Sequence, residues 1–181
     1  MKKNVVVGVT GGIACYKAVE IVNALVKKGY EVHVIMTENA TKFITPLTFQ
    51  TLSNNRVAIQ MFDEVDKWDT EHISLAKLAD VFLIAPATAN VIGKIANGLA
   101  DDMLTTTVMA TRAPVVIAPA MNVAMWENPI VQNNVNVLKG HGYEILDTEV
   151  GRLACGDIGS GKLLNWEKIV EAIEEISTVP R

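Results

Sequence analysis

The sequence predicts a doubly wound α/β fold, a parallel sheet with helices on both faces. Three observations predict it. β-branched apolar runs alternate with stretches whose apolar residues recur at helical spacing. The first run breaks into a glycine turn, Gly8-Val9-Thr10-Gly11-Gly12-Ile13. Small or polar residues stand just past four of the runs, where ligands of such folds bind.

Lys3 to Val9 is a near-continuous β-branched run, as expected of a parallel strand buried on both faces. Ile13 to Lys28 places Ala14, Ala18, Ile21, Val22 and Leu25 at helical intervals, ends on Lys27-Lys28 and stops at Gly29. Tyr30 to Met36 returns as a strand, so the opening is a βαβ unit with a right-handed crossover. Glu38 to Ser53 carries short helical pieces interrupted at Pro46, and Asn54 to Thr70 is polar and without regular pattern. Val81 to Ala85 is a third strand ending at Pro86, followed by helices over Asn90–Ala96 and Asp101–Thr111. Val115 to Ala118 is a fourth strand, Pro129 to Lys139 a helix, Tyr143 to Leu146 a short fifth strand, and Trp166 to Ile176 a closing helix. With 181 residues, half of them hydrophobic, and no repeat or linker, the chain is expected to be one domain of the Rossmann or flavodoxin type.

The balance of 16 basic against 20 acidic residues is spread without blocks, so a nucleic-acid surface is not expected. The apolar runs are strand length, too short for a bilayer, and Met1-Lys2-Lys3 opens no signal-type stretch, which points to a soluble cytoplasmic protein. Cys15 and Cys155 lie far apart and are expected as thiols.

Four strand ends converge: Gly8–Ile13 after the first strand, Thr37 after the second, Pro86-Ala87-Thr88-Ala89-Asn90 after the third and Pro119-Ala120-Met121-Asn122 after the fourth. A glycine turn lets amide N–H groups approach a phosphate at a helix start. Its spacing, Gly-x-x-Gly-Gly, is not the dinucleotide pattern, and the second strand ends on Thr37 rather than on a ribose-binding carboxylate, although Glu38 is adjacent. A plain NAD site is disfavoured, and a tight turn that binds nothing remains the alternative. The Thr88 hydroxyl and Asn90 carboxamide suit a planar heterocycle or its polyol chain, or equally a helix cap.

Pro119-Ala-Met-Asn-Val-Ala-Met-Trp126 resembles the Pro-x-Met-Asn-x-x-Met-Trp signature of the flavin-dependent cysteine decarboxylases, matching at every fixed position. Pro86–Asn90 is similar to that family's Pro-Ala-Ser-Ala-Asn motif, with Thr88 for Ser. His72 precedes the third strand, where the family places its active-site histidine, and Leu153-Ala-Cys-Gly-Asp-x-Gly-x-Gly161 resembles its cysteine-containing substrate flap, near residues 150–163. The likeness runs from about Lys3 to Trp166. Its flap most resembles that of the branch converting 4'-phosphopantothenoylcysteine to 4'-phosphopantetheine in coenzyme A synthesis. One departure is Lys162, where an arginine is common.

The resemblance implies FMN as cofactor, held by Gly11, Gly12, Ile13, Thr37, Thr88 and Asn90. It implies oxidation of the cysteine side chain to a thioaldehyde, whose thiocarbonyl accepts the electrons released with CO2 to give an enethiolate. His72 would help the substrate thiol lose its proton, Asn122 would bind the substrate carboxylate through its NH2, and Cys155 would return a proton to the enethiolate. Met121, Asn122, Ala154, Gly156 and Lys162 would contact substrate. The family implies a homotrimer with sites at subunit interfaces, or a dodecamer of four trimers. Many bacterial relatives add a C-terminal ligase joining cysteine to phosphopantothenate. As the chain ends at Arg181, that activity is expected on a separate protein. A peptidyl-cysteine decarboxylase and a non-catalytic flavoprotein subunit are the alternatives. His33, His141 and Cys15 read as structural, Asp101-Asp102 as a helix cap, and packing accounts equally well for Met121, Met125 and Trp126. No metal site is expected.

Overall fold

The structure is a computed structural model and describes residues 2–62 and 70–178. Five parallel strands form the main sheet: β1 (Asn4–Val9), β2 (Glu31–Met36), β3 (Val81–Ala87), β4 (Val115–Pro119) and β5 (Glu144–Ile145), in the order β2-β1-β3-β4-β5. Val5 pairs with Val32 on one side and with Val81 on the other. The strand order reverses between β1 and β3, so the crevice beyond their C-termini is the binding position expected of a doubly wound sheet.

Period-two alternation splits each central strand between two cores. Val5, Val7, Val9, Leu83, Ala85, Val116 and Ala118 face one layer, where they meet α1 (Tyr16–Lys27) and the closing helix α8 (Trp166–Thr178). Val6, Phe82, Ile84, Val115 and Ile117 face the other, against α4 (Ala89–Ala96), α5 (Met103–Ala110) and α7 (Pro129–Gly140). Both faces of β3 are therefore buried along its whole length. This is why it reads as an unbroken apolar run.

The expected strands and helices are present, with shifted ends. The first helix opens as a 3-10 turn over Ile13–Cys15, and the fifth strand is only two residues long. Pro46 does not interrupt a helix but starts α2 (Pro46–Ser53) at its first turn, where its missing N–H is harmless. Of the stretch expected to be irregular, residues 54–62 hold only an isolated bridge from Ala58 to Ile35, and 63–69 lie outside the described residues. Three elements had no forecast: α3 (Glu71–Leu78), the single turn α6 (Val123–Trp126), and an antiparallel hairpin of β6 (Glu149–Arg152) and β7 (Ile158–Lys162), which is a separate two-stranded sheet.

Candidate functional site

Thr10 fixes the glycine turn. Its buried hydroxyl donates to the Pro86 carbonyl at 2.6 Å and accepts from the Thr88 N–H at 3.1 Å, tying the end of β1 to the end of β3. The three glycines differ in what excludes a side chain. A Cβ on Gly8 would lie 2.4 Å from Leu104 Cδ1, and one on Gly11 would lie 2.4 Å from Asn39 Cβ and 2.9 Å from the Asn39 carbonyl carbon. Packing against backbone therefore requires glycine at position 11, whereas at position 8 the buried Leu104 side chain would have to shift. A Cβ on Gly12 would meet nothing closer than Thr88 Cγ2 at 3.6 Å, so the fold itself does not demand glycine there. The Gly11 and Ile13 amides find no acceptor among the described residues. An open glycine position between free amide donors fits the phosphate end of a nucleotide-like cofactor.

Asn122 follows β4 and caps α6, its Oδ1 accepting from the Ala124 N–H at 2.9 Å. That bond commits the carbonyl oxygen inward and turns the NH2 outward. The hairpin meets this amide. Nδ2 of Asn122 donates to Asp157 Oδ2 at 2.9 Å and lies 3.4 Å from Cys155 Sγ, and the Cys155 thiol donates to the same Asp157 oxygen at 3.3 Å. Glycine makes the docking possible. The Met121 N–H donates to the Gly161 carbonyl at 2.9 Å, a Cβ on Gly161 would lie 2.6 Å from the Met121 oxygen, and one on Gly159 would lie 2.9 Å from Val123 Cγ2. Gly161 also sits at φ +102°, a conformation glycine alone adopts without strain.

Between the glycine turn and the hairpin lies a cavity of about 540 Å³, to which Gly12, Ile13, Met121, Asn122, Ala154, Cys155 and Lys162 all contribute. Residues far apart in sequence thus share one site. Tyr16, Lys17 and Arg152 also line it, and sequence reasoning missed all three. Among the described residues the lining holds three basic residues and no acidic one, against a chain charge of -4. Lys162 is already engaged by Glu149 at 3.3 Å across the hairpin, whereas the Arg152 guanidinium has no hydrogen-bond or ion-pair partner among the described residues.

Several expected residues do not line this cavity. Thr37 accepts from the Ala40 N–H at 3.3 Å and lines a separate cavity of about 190 Å³ with Glu38, Asp101 and Asp102. Thr88 caps α4, accepting from the Val91 N–H at 3.4 Å, and Asn90 is exposed on its first turn. Gly156, at φ +96°, shapes the hairpin tip without lining the cavity. His72 on α3 lines neither cavity, and its Nδ1 is buried with no partner among the described residues. The Asp101-Asp102 pair behaves as a cap. Asp102 makes a capping box with Thr105, and Lys94 bridges Asp101 at 2.7 Å and Asp102 at 2.9 Å. Burial alone would raise the Asp102 carboxyl, but the Thr105 N–H and Lys94 together hold it below its ordinary value. Met121 and Trp126 pack against the second core. Both cysteines are free thiols. Cys15 is buried, which pushes its thiol up and leaves it inert, while Cys155 is exposed. Burial likewise lowers the His33 imidazole against the pull of Glu31. Among the described residues there is no metal-ligating cluster and no helix long and apolar enough to cross a membrane.

The sequence profile of the flavoprotein family matches residues 1–178. The chain belongs to that family. It is 51% identical over 173 residues to the coenzyme A biosynthesis bifunctional protein CoaBC of Bacillus subtilis (strain 168), covering 96% of this chain but 43% of that protein. It is 45% identical over 177 residues to a Streptococcus mutans protein named probable phosphopantothenoylcysteine decarboxylase, covering 97% and 99% of the two. The chain thus spans less than half the length of the bifunctional relatives it matches and nearly all of the monofunctional one. Among solved structures, a cysteine-to-serine mutant of PPC decarboxylase complexed with pantothenoylaminoethenethiol superposes with a TM-score of 0.85 at 28% identity, covering 97% of this chain and 98% of that one. The FMN-dependent cysteine decarboxylase SpaF gives 0.82 at 31%, with the same coverage. This family membership agrees with the resemblance carried by residues 86–90, 119–126 and 153–161.

Proposed function

We propose that the chain is an FMN-dependent decarboxylase that converts 4'-phosphopantothenoylcysteine to 4'-phosphopantetheine and CO2 in coenzyme A biosynthesis. One observation carries the reading. The Asn122 amide and the Cys155 thiol stand 3.4 Å apart at a cavity that also opens onto the glycine turn. The names of the relatives support the same reaction.

The flavin, when bound, supplies the oxidation and return reduction of the cysteine side chain that give CO2 loss an electron sink. Gly11, Gly12 and Ile13 would hold its phosphate, with Thr88 and Asn90 toward the polyol and ring and Thr37 beside the turn. Asn122 holds the substrate carboxylate with a neutral NH2. A neutral donor orients the group without a full ion pair, which would oppose loss of its charge. Cys155 carries a thiol proton beside that carboxylate and returns it to the decarboxylated substrate. Met121, beside Asn122, and Ala154 and Lys162 of the 150–163 flap complete the substrate surface, with Gly156 shaping the tip of the flap. The phosphate of the substrate suits the basic lining, with Arg152 and Lys17 joining Lys162. That lining favours this substrate over a peptide ending in cysteine.

His72 would take the thiol proton of the substrate. Because α3 lines no part of the cavity within one chain, the reading places a second copy's His72 at the site, in a homotrimer or a dodecamer of trimers. One flavoprotein domain over residues 1–181, working in the cytoplasm, completes the proposal.

The test is direct. Purified protein carries a flavin spectrum, turns over phosphopantothenoylcysteine with CO2 release, and loses turnover but not flavin in Cys155→Ser. Colourless protein that FMN does not reconstitute sinks the reading, as does preferential turnover of a peptide with a C-terminal cysteine.

A further inference from the structure

Asp157 has no part in the mechanism above, yet it is the group that the two catalytic side chains of the cavity share. One carboxylate oxygen, Oδ2, accepts from Asn122 Nδ2 at 2.9 Å and from Cys155 Sγ at 3.3 Å. The turn holds it there: the Leu153 N–H donates to the Asp157 carbonyl at 2.8 Å, and the Gly156 N–H to the Leu153 carbonyl at 2.9 Å. The Asn122 amide cannot rotate to escape, because its Oδ1 is committed to the Ala124 N–H. Among the described residues no acidic one lines the cavity itself, and Asp157 brings the only carboxylate bonded to the Asn122 NH2.

A carboxylate is an acceptor only, and the Asn122 NH2 is the donor that the proposed reaction offers to a substrate carboxylate. The NH2 carries two hydrogens, and Asp157 Oδ2 and Cys155 Sγ already take both, so a substrate carboxylate has to displace one of them. Two carboxylates at hydrogen-bond distance from one amide also repel each other, so the substrate carboxylate and Asp157 compete for it.

We propose that Asp157 is a place-holding carboxylate. In the ligand-free protein it occupies the Asn122 amide and the Cys155 thiol, it yields both to the substrate carboxylate, and it reclaims them when CO2 departs. The inference rests on the proposed decarboxylation. It adds a positioning residue with a defined consequence. Asp157 weakens binding of ligands that carry the carboxylate and leaves binding of the decarboxylated product unopposed by charge, so loss of CO2 is coupled to closing of the hairpin onto Asn122.

The test compares two ligands that differ only in that carboxylate: the S-methyl thioethers of 4'-phosphopantothenoylcysteine and of 4'-phosphopantetheine, neither of which can turn over. Their Kd values are measured by calorimetry on the FMN-loaded protein and on its Asp157→Asn and Asp157→Ala variants. Asp157 is exposed, so neither variant threatens the fold, and flavin content checks this. Removing a competing charged hydrogen bond should tighten the carboxylated thioether relative to the decarboxylated one by about five- to tenfold in Asp157→Ala. The effect is smaller in Asp157→Asn, whose amide oxygen still accepts. A purely structural role would move both affinities by the same factor. That outcome, or a relative weakening of the carboxylated ligand, overturns the assignment. Wild-type protein that binds neither thioether instead overturns the decarboxylase reading, and the place-holder with it.

Discussion

Asn122→Asp separates chemistry from architecture at one atom. The substitution keeps Oδ1, which accepts from the Ala124 N–H at 2.9 Å, and Asp caps a helix as well as Asn, so the stability of α6 should change by less than about 0.5 kcal/mol. What it replaces is Nδ2, the donor that lies 2.9 Å from a carboxylate oxygen in the ligand-free protein. A substrate carboxylate taking that place at the same 2.9 Å would face an oxyanion instead of an N–H. Losing a hydrogen bond to a charged group removes about 1.5–3 kcal/mol. Repulsion between unit charges at 2.9 Å adds about 1.4 kcal/mol at the dielectric of water and rises as the site is desolvated. Together these predict a fall in kcat/KM of about 10²- to 10³-fold with only a small fall in melting temperature, because the new carboxylate also loses the bond to Asp157, which is exposed and can turn to solvent. Asn122→Ala, by contrast, loses the cap as well and should be destabilised by about 1 kcal/mol. Initial rates of CO2 release and calorimetric melting measure the two quantities. If Asn122→Asp stays within about threefold of wild type in kcat/KM, the Asn122 amide is not a carboxylate donor.

The glycine turn gives a contrast of the same kind. Gly12→Ala should fold normally, because its Cβ makes only an ordinary contact at 3.6 Å, but should retain less flavin, whereas Gly11→Ala should be destabilised by about 1–3 kcal/mol through overlap with Asn39. Absorbance of the bound flavin and urea unfolding distinguish them, and normal flavin retention in Gly12→Ala would refute a phosphate at this turn. Thr10→Val deprives the Pro86 carbonyl and the Thr88 N–H of a shared partner and should lower stability by about 1–3 kcal/mol for each group left unpaired, while Thr10→Ser keeps both bonds and most of the stability. Asp102 governs an acid limb. Its carboxyl is held below the unfolded value of about 3.9, so its contribution is complete above that pH and is lost as pH falls through the lower folded value. Unfolding at a series of acidic pH values should therefore show a shallower loss of stability below about pH 4 for Asp102→Asn than for wild type.

The central sheet was legible because burial on both faces leaves a plain trace. Val5–Val9 and Val81–Ala85 could hardly be anything but strands of a parallel sheet, and the period-two split between the two cores follows from that. The hairpin was not legible as structure. Its strands carry Gly151, Gly159 and Gly161, exposed Val150 and Ile158, and polar residues between, so neither apolar alternation nor β-propensity marks them. Gly159 and Gly161 answer to tertiary contacts with Val123 and Met121, which no local pattern can report. α3 escaped for a related reason: only Ala76 in it is fully buried, so it shows little apolar periodicity. At the site, Asn122 and Cys155 were readable because they sit in a motif. Tyr16 and Lys17 were not, since a helix start uses such residues freely, and Asp157 stood inside the quoted flap motif with no role attached.

The placement of the site follows from how its two halves are held. The glycine-turn half is part of the sheet itself, with the Thr10 hydroxyl spanning β1 and β3 from a fully buried position. The Cys155 half is a two-stranded sheet with no strand pairing to the first. It is joined to the β4 loop through the Met121–Gly161 bond and the hydrogen bonds around Asn122 and Asp157. A reaction that must hold one partner throughout and admit, trim and release another asks for that asymmetry. On the proposed reading, the donors suited to a resident cofactor and the Asn122 amide offered to the substrate carboxylate stand at strand ends of the rigid sheet, and the Cys155 thiol stands on the element docked by a few exchangeable bonds. Gly161 is the pivot of the second half, because both its positive φ and its approach to the Met121 carbonyl forbid any side chain. The Gly-x-Gly of the hairpin is thus a docking device, while the openness of Gly12 leaves room for the proposed cofactor phosphate: two glycine motifs of similar appearance meet different physical demands.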